Sequence, residues 1–378
     1  MWIITTHKIS HDTMATEIIS HYSIEKPSVS FIRHNENLTY QVVDKSTGQK
    51  YLLRIHKAAF ASMTGIQHTR PALEAEMNLL HELRATSPLR VQTPVRNTSD
   101  EWVTVWLNQT GEEICCTVLE WIEGRDIKQG ERLTTAQIHD MGVQLQTLHQ
   151  YGRRPKEAPK PQVGSQKPES GQQVNDREQH AERAINSEMY TVSDRPALKQ
   201  TGVRPAYGSI KENLVMLEQL EEGVRRGIFT PEDFDLIRET FENINRQLET
   251  YPHNAETWGV IHGDITRGNL LVTDQGISMI DFCLYGYGYY LFDAGGAALI
   301  FNREERDVFL SGYTEQMGPL TKRDIRLMEG FMLIFTFGYF AFQMENESRY
   351  EWMKERMPLI CSKFCKPYLQ NESIFYEL

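Results

Sequence analysis

Cysteine is scarce in this chain of 378 residues: Cys115, Cys116, Cys283, Cys361 and Cys365, with no Cys-x-x-Cys pair among them. An odd count and the four-residue step from Cys361 to Cys365 fit neither a disulfide framework nor a zinc ribbon. Reduced thiols and a cytoplasmic setting are expected. Positive charge is also short, 40 Lys and Arg against 51 Asp and Glu for a net charge of -11. A chain that held nucleic acid or a membrane surface through its overall field would be basic, so neither is expected as a partner. Residues 1–8 lack the basic start and apolar run of a signal peptide. The longest uncharged stretch near the end, residues 330–344, is too short for a bilayer and reads as a buried helix. No P-loop and no Gly-x-Ser-x-Gly elbow occur, and apart from His253 and His262, nine apart, the twelve histidines do not cluster at metal-ligand spacing, so a zinc hydrolase is not expected.

What is present is ordinary globular material, 40% hydrophobic and 24% charged, long enough for two domains or one domain with a built-on lobe. Residues 10–25 place Met14, Ile18, Ile19 and Tyr22 at loose helical spacing. Residues 28–33, 38–43 and 50–56 read as three strands joined by the polar turns 34–37 and 45–49. Residues 72–83 are strong helix formers with Leu73, Met77, Leu80 and Leu83 on one face, and strands follow around 102–107 and 113–121. From Thr134 the period turns helical, with Met141, Leu145 and Leu148 on one stripe. Residues 152–188, rich in Pro, Gln, Lys and Glu, carry too little apolar surface to offset ordering entropy and read as a flexible insertion. Acidic helical stretches at 213–227 and 231–251 lead to a final, mostly helical region. The expected fold class is α+β: a five-stranded antiparallel lobe over residues 1–122, then a mainly helical lobe over 123–378.

The chemistry concentrates in residues 259–282, Gly-Val-Ile-His-Gly-Asp-Ile-Thr-Arg-Gly-Asn-Leu-Leu-Val-Thr-Asp-Gln-Gly-Ile-Ser-Met-Ile-Asp-Phe. Two apolar runs flank Asp274-Gln-Gly276, which reads as a short hairpin with Gly276 at positive φ. Centred on Gln275, the hairpin sets Asn269 opposite Asp281. An amide oxygen and a carboxylate so placed can hold a hard divalent cation, with Asp264 close by as a separate carboxylate. That equipment suits the positioning of a phosphate and an attacking hydroxyl.

His262-Gly-Asp264, with Asn269 and Ile280-Asp-Phe282, resembles the catalytic signature of the aminoglycoside phosphotransferase and choline kinase superfamily, and type II homoserine kinases are similar. The resemblance runs from about residue 28 to residue 345 and implies a bilobal protein-kinase-like fold. It implies that Asp264 orients and deprotonates the acceptor hydroxyl, that Asn269 and Asp281 hold Mg²⁺ on ATP, and that His262 and Asp293 brace the catalytic loop. Arg54, in the third strand, would meet the phosphates and pair with Glu76, or alternatively with Glu74. Asn37 stands either to donate to a phosphate or to make a plain turn. The backbone of Glu120 and Ile122 would face the adenine edge. Two readings stand for Arg267, neutralising the transferring phosphate or lying as a solvated loop charge. Cys283 replaces the glycine that often follows Asp-Phe in kinases, which implies a loop not regulated by flipping.

The function expected is ATP-dependent transfer to a hydroxyl of a small molecule such as an amino alcohol, a hydroxy amino acid or an aminoglycoside. Two other classes stay open: a bacterial stress-type protein Ser/Thr kinase and an inactive nucleotide-binding scaffold. No activation-loop Ser/Thr and no Ala-Pro-Glu run follow Phe282. Residues 331–342 read more as core than as an acceptor pocket, and Glu345, Glu347 and Glu351 more as solvated acids than as amine ligands.

Overall fold

A computed structural model describes residues 11–34, 37–57, 65–108, 110–128, 130–153 and 203–376. The insertion expected at 152–188 falls almost wholly outside the described residues.

The N-terminal lobe runs α1 (His11–Ile19), β1 (Pro27–His34), β2 (Leu38–Asp44), β3 (Lys50–Ile55), α2 (Arg70–Thr86), β4 (Pro94–Val95), β5 (Thr104–Leu107) and β6 (Glu113–Glu120). Its antiparallel sheet is ordered β1-β2-β3-β6-β4, with β5 also paired to β6. Strand alternation divides the side chains. Leu38, Tyr40 and Val42 of β2 and Leu53 and Ile55 of β3 go to one face, where Ala15, Ile18 and Ile19 of α1 complete a buried core. The predicted stripe on α2, Leu73, Met77, Leu80 and Leu83, is buried. The sheet has six strands rather than five. The extra one, β4, is only two residues long and begins with proline, so no alternation in the sequence could announce it.

The second lobe contains β7 (Arg125–Asp126), α3 (Thr135–Arg153), β8 (Ala206–Tyr207), α4 (Ile210–Arg225), α5 (Pro231–Thr250), β9 (Trp258–Ile261), β10 (Leu270–Thr273), β11 (Gly276–Met279), β12 (Gly286–Tyr289), α6 (Tyr290–Ala298), α7 (Arg303–Thr314), α8 (Lys322–Phe342) and α9 (Tyr350–Ile360). Two small sheets, β11-β10-β7 and β8-β12-β9, lie among these helices. Helices α3 and α7 touch backbone to backbone. A Cβ on Gly142 would fall 2.2 Å from Phe309 O, and one on Gly312 would fall 2.0 Å from His139 O, so only glycine fits at this crossing.

Helix α8 starts eight residues before the uncharged stretch and, at 21 residues, is long and apolar enough to cross a membrane. The sequence reading of a span too short for that is therefore corrected. Residues 327–334, Phe337 and Phe340 of α8 are buried, and the helix packs against α4, α5 and α6.

Candidate active site

Alternation along β3 turns Arg54 to the face opposite Leu53 and Ile55, where α2 meets the sheet. Arg54 and Glu76 are 4% and 0% exposed, with Arg54 Nη2 2.9 Å from Glu76 Oε1. The contact is a buried pairing of charges. Burial works against the Arg54 charge, but Glu76 and then Asp281 outweigh it and hold its pKa above the ordinary value. Glu74, the alternative partner, pairs with Arg70 at 2.7 Å on the exposed side of α2. Arg54 Nε donates to Thr117 Oγ1 at 3.3 Å, and His56 Nε2 lies 2.9 Å from the same hydroxyl. Burial first, and the Arg54 charge second, push the His56 pKa well below its usual value.

In the second lobe, β9 delivers the chain into His262-Gly-Asp264. Gly263 turns at φ +80, and a Cβ there would fall 2.6 Å from Leu284 O. Asp293, at the start of α6, accepts from His262 N at 2.6 Å and from Gly263 N at 2.9 Å. His262 Nε2 donates to Ile280 O at 3.0 Å while its Nδ1 accepts from Asp264 N at 3.3 Å, a network that assigns the tautomer. The backbone beneath Asp264 is thereby held from two sides. Burial pushes the Asp264 carboxyl above the ordinary carboxylate value, with the Asp281 charge adding to the effect.

The hairpin register differs by one from the sequence reading. Leu270 pairs with Met279 and Thr273 with Gly276, leaving a two-residue turn, Asp274-Gln275, of the length that suits a tight hairpin best. Asn269 therefore stands opposite Ile280, whose N–H donates to Asn269 O at 3.0 Å. Asp281 lies one residue past that pair, with left-handed backbone angles of φ 64 and ψ 64, a conformation Asp tolerates better than most residues. Asn269 Nδ2 donates to Asp264 O at 2.9 Å and to Asp264 Oδ2 at 2.8 Å. With the nitrogen committed, the amide oxygen is the free coordinating atom. Asp281 Oδ1 is buried without a hydrogen bond and lies 3.8 Å from Arg54 Nη1.

A cavity of about 600 Å³ opens between the lobes, with Asn37, Arg54, Ile122 and Asp281 on its wall and apolar surface from Leu52, Leu271 and Ile280. Asn37 Oδ1 is a second buried polar atom without a partner there. Glu120 does not line this cavity. Its N–H donates to Thr93 O at 2.8 Å, and it faces a smaller cavity of about 320 Å³ behind the connecting segment. Arg267, half-buried, donates to Glu131 O at 2.7 Å and Ile300 O at 3.1 Å, contacts that tie the catalytic loop to two distant segments.

Farther along the chain, Phe331, Phe337 and Phe340 are core, while Tyr339 and Phe342 are exposed. Glu345 pairs with Arg226 and Glu351 with Lys354. Two side chains that sequence reasoning passed over, Arg204 and Tyr207, bind the loop that follows Asp281.

No cluster of three or more His, Cys, Asp or Glu suited to a metal occurs among the described residues. The donors at hand are one amide oxygen and one carboxylate. That set fits Mg²⁺, a hard ion that keeps several waters and takes substrate phosphates, and does not fit zinc.

Solved structures define the fold class as protein-kinase-like. The chain superposes on a microcompartment-associated aminopropanol kinase (21% identity, TM-score 0.64, covering 95% of this chain and 98% of that one). It superposes similarly on an amicoumacin kinase in complex with AMP-PNP, Ca²⁺ and Ami (15%, 0.63, 97% and 95%). A choline kinase from Cryptosporidium parvum Iowa II also matches (14%, 0.56, 95% and 96%). The sequence profile of the phosphotransferase enzyme family, APH, matches residues 28–331, and the chain belongs to that family. No curated protein sequence matches it.

Proposed function

We propose that this chain is a small-molecule kinase that moves the γ-phosphate of ATP to a hydroxyl group, using Mg²⁺. In this reading residues 1–122 form the nucleotide-binding lobe and residues 123–378 the lobe that carries the catalytic loop and acceptor pocket. The observation that carries the reading is the orphaned Asp281 carboxylate oxygen, buried on the cavity wall 3.8 Å from an arginine already paired to Glu76. A buried anionic oxygen without a donor is costly unless a ligand completes it.

Mg²⁺, when bound, draws charge from the phosphate oxygens. Asn269 and Asp281 would hold it. Arg54, anchored by Glu76, would fix the phosphates, and the backbone of Ile122, on the cavity wall, would meet the adenine edge; Glu120, turned to the other cavity, would not. Asp264 would align the attacking hydroxyl and take its proton, its backbone held by His262 and Asp293. Catalysis of this kind comes from positioning and charge neutralisation. Solved relatives of the same fold are kinases of aminopropanol, amicoumacin and choline, which supports a small hydroxylated acceptor.

A phosphorylation screen with ATP and Mg²⁺ over amino alcohols, hydroxy amino acids and aminoglycosides tests the reading. Transfer to one of these is expected. Asp264→Asn should lower turnover by about 10²–10⁴-fold, the usual worth of a positioned base, with nucleotide affinity nearly unchanged. Label appearing only in a protein acceptor, or turnover unaffected by Asp264→Asn, would contradict it.

A further inference from the structure

The loop that follows Asp281 exposes a run of backbone carbonyls to the protein interior, and two side chains from one short segment take all of them. Arg204 Nε donates to Tyr285 O at 2.9 Å. Its Nη2 donates to Cys283 O at 2.7 Å and Phe282 O at 3.3 Å. Tyr207 Oη donates to Leu284 O at 2.6 Å. Every carbonyl from residue 282 to residue 285 is thus accounted for. Between the two side chains, Pro205 O accepts from Tyr287 N at 3.0 Å, and β8 lies parallel to β12 with Tyr207 opposite Gly288.

The same guanidinium reaches the other lobe. Arg204 Nη1 donates to Ala72 O at 3.2 Å, one turn before Glu76 on α2. Its plane stacks on the Tyr285 ring at 3.9 Å. Arg204 is 9% exposed, and among the described residues no carboxylate lies within ion-pair distance of it. A buried cation held only by carbonyl dipoles is an expensive choice for a plain core position, where an apolar side chain of equal volume serves as well. Four of its five N–H groups are used, in directions that a single ammonium cannot cover. Close packing fixes the same place. A Cβ on Gly286 would fall 2.2 Å from Pro205 O, and one on Gly263 would fall 2.9 Å from the Tyr207 ring. The segment is therefore pressed between the 282–286 loop and the turn that presents Asp264.

We propose that Arg204, with Tyr207 beside it, is a positioning residue that fixes the Asp281 carboxylate toward the metal and ties it to the helix bearing Glu76. This rests on the phosphotransferase reading, in which Asp281 holds Mg²⁺. Left-handed backbone at Asp281 needs the following loop held in place: Phe282 O also accepts from Tyr285 N at 3.0 Å, but without Arg204 and Tyr207 the carbonyls of Cys283, Leu284 and Tyr285 would turn toward water and pull the loop that carries Asp281 with them.

The test measures binding of a non-hydrolysable ATP analogue by calorimetry, across a Mg²⁺ titration and in EDTA, for wild type, Arg204→Met, Arg204→Lys and Tyr207→Phe. Hydrogen exchange of residues 282–289 in the ligand-free proteins is followed alongside. Arg204→Met should raise the Mg²⁺ needed for half-saturation by about tenfold or more, in line with the cost of misplacing a positioned group by about 1 Å. It should also speed exchange in 282–289 and leave metal-free nucleotide affinity nearly as it was. Arg204→Lys, which keeps the charge but not the fork, should recover only part. If Arg204→Met does not fold, Tyr207→Phe, which removes one donor, carries the comparison with a smaller shift in the same direction. A folded variant with the wild-type Mg²⁺ requirement overturns the proposal and leaves the phosphotransferase reading standing. A wild-type chain that binds no Mg·nucleotide overturns the reading, and the positioning role falls with it.

Discussion

Replacing Glu76 by leucine strands a buried guanidinium. Arg54 keeps one hydrogen bond, to Thr117 at 3.3 Å, and a distant carboxylate, Asp281 at 3.8 Å. Breaking a buried pair from one side costs about 3–5 kcal/mol, whereas replacing both partners by apolar residues of similar volume is often neutral or better. Unfolding entropy near 2.1 cal/mol/K per residue, over the 378 residues of this chain, amounts to about 0.8 kcal/mol/K. Glu76→Leu should then lower the melting temperature by about 4–6 °C. Arg54→Met/Glu76→Leu should recover most of that loss, yet bind nucleotide far more weakly than wild type because no cation meets the phosphates. Scanning calorimetry on the four proteins of the double-mutant cycle, with nucleotide titration of each, reads both effects. A double variant whose destabilisation equals the sum of the two single losses, within about 0.5 kcal/mol, would refute the pairing. A double variant that binds Mg·ATP as wild type does would refute the role given to Arg54.

Two further outcomes follow from the same geometry. His56 and His149 are buried, and burial lowers both pKa values from an ordinary value of 6.5. The 3.4 Å approach of His149 to Asp293 is therefore a hydrogen bond of a neutral ring. The unfolded chain binds protons near pH 6.5 and the folded one does not. Stability is complete above that pH and is lost as pH falls below it, by about 1.4 kcal/mol per group per pH unit. Urea midpoints at pH 7.5 and 5.5 should show the drop, and His149→Gln should shrink it; an unchanged drop would contradict the assignment to His149. Gly263→Ala forces a side chain into the left-handed region and into Leu284 O, so turnover should fall at least about tenfold. Gly48→Ala, at φ +77 with open space around it, should cost about 1–2 kcal/mol of stability and leave turnover alone. Equal effects on turnover from the two would argue against the close packing at Gly263.

The sequence made much of this legible because the informative signals are local. Alternation in β2 and β3 and the Leu73, Met77, Leu80, Leu83 stripe of α2 are short-range patterns that the folded chain simply completes. Asp264, Asn269 and Asp281 sit in one 18-residue stretch, and their chemistry could be read there. The register of the hairpin could not, because a turn of two or of three residues accommodates Asp274-Gln-Gly276 equally well on paper. Only tertiary contact decides it, with Asp140 accepting from Ile277 N at 2.6 Å. Arg204 gave no signal at all. Its acceptors lie 78 to 132 residues away in sequence, and an arginine following a polar stretch looks like solvated charge until the fold brings residues 282–285 around it. Arg267 shows the same limit from the other side. A cation in a catalytic loop suggests phosphate, while its actual acceptors, Glu131 O and Ile300 O, come from distant segments.

The most direct measurement is a crystal structure of the chain with Mg²⁺ and a non-hydrolysable ATP analogue. Expected are a metal ligated by the Asn269 amide oxygen and the Asp281 carboxylate, phosphates against Arg54, and the γ-phosphate facing Asp264. Nucleotide bound with its metal on other residues, or with Arg54 turned away from the phosphates, would contradict this arrangement.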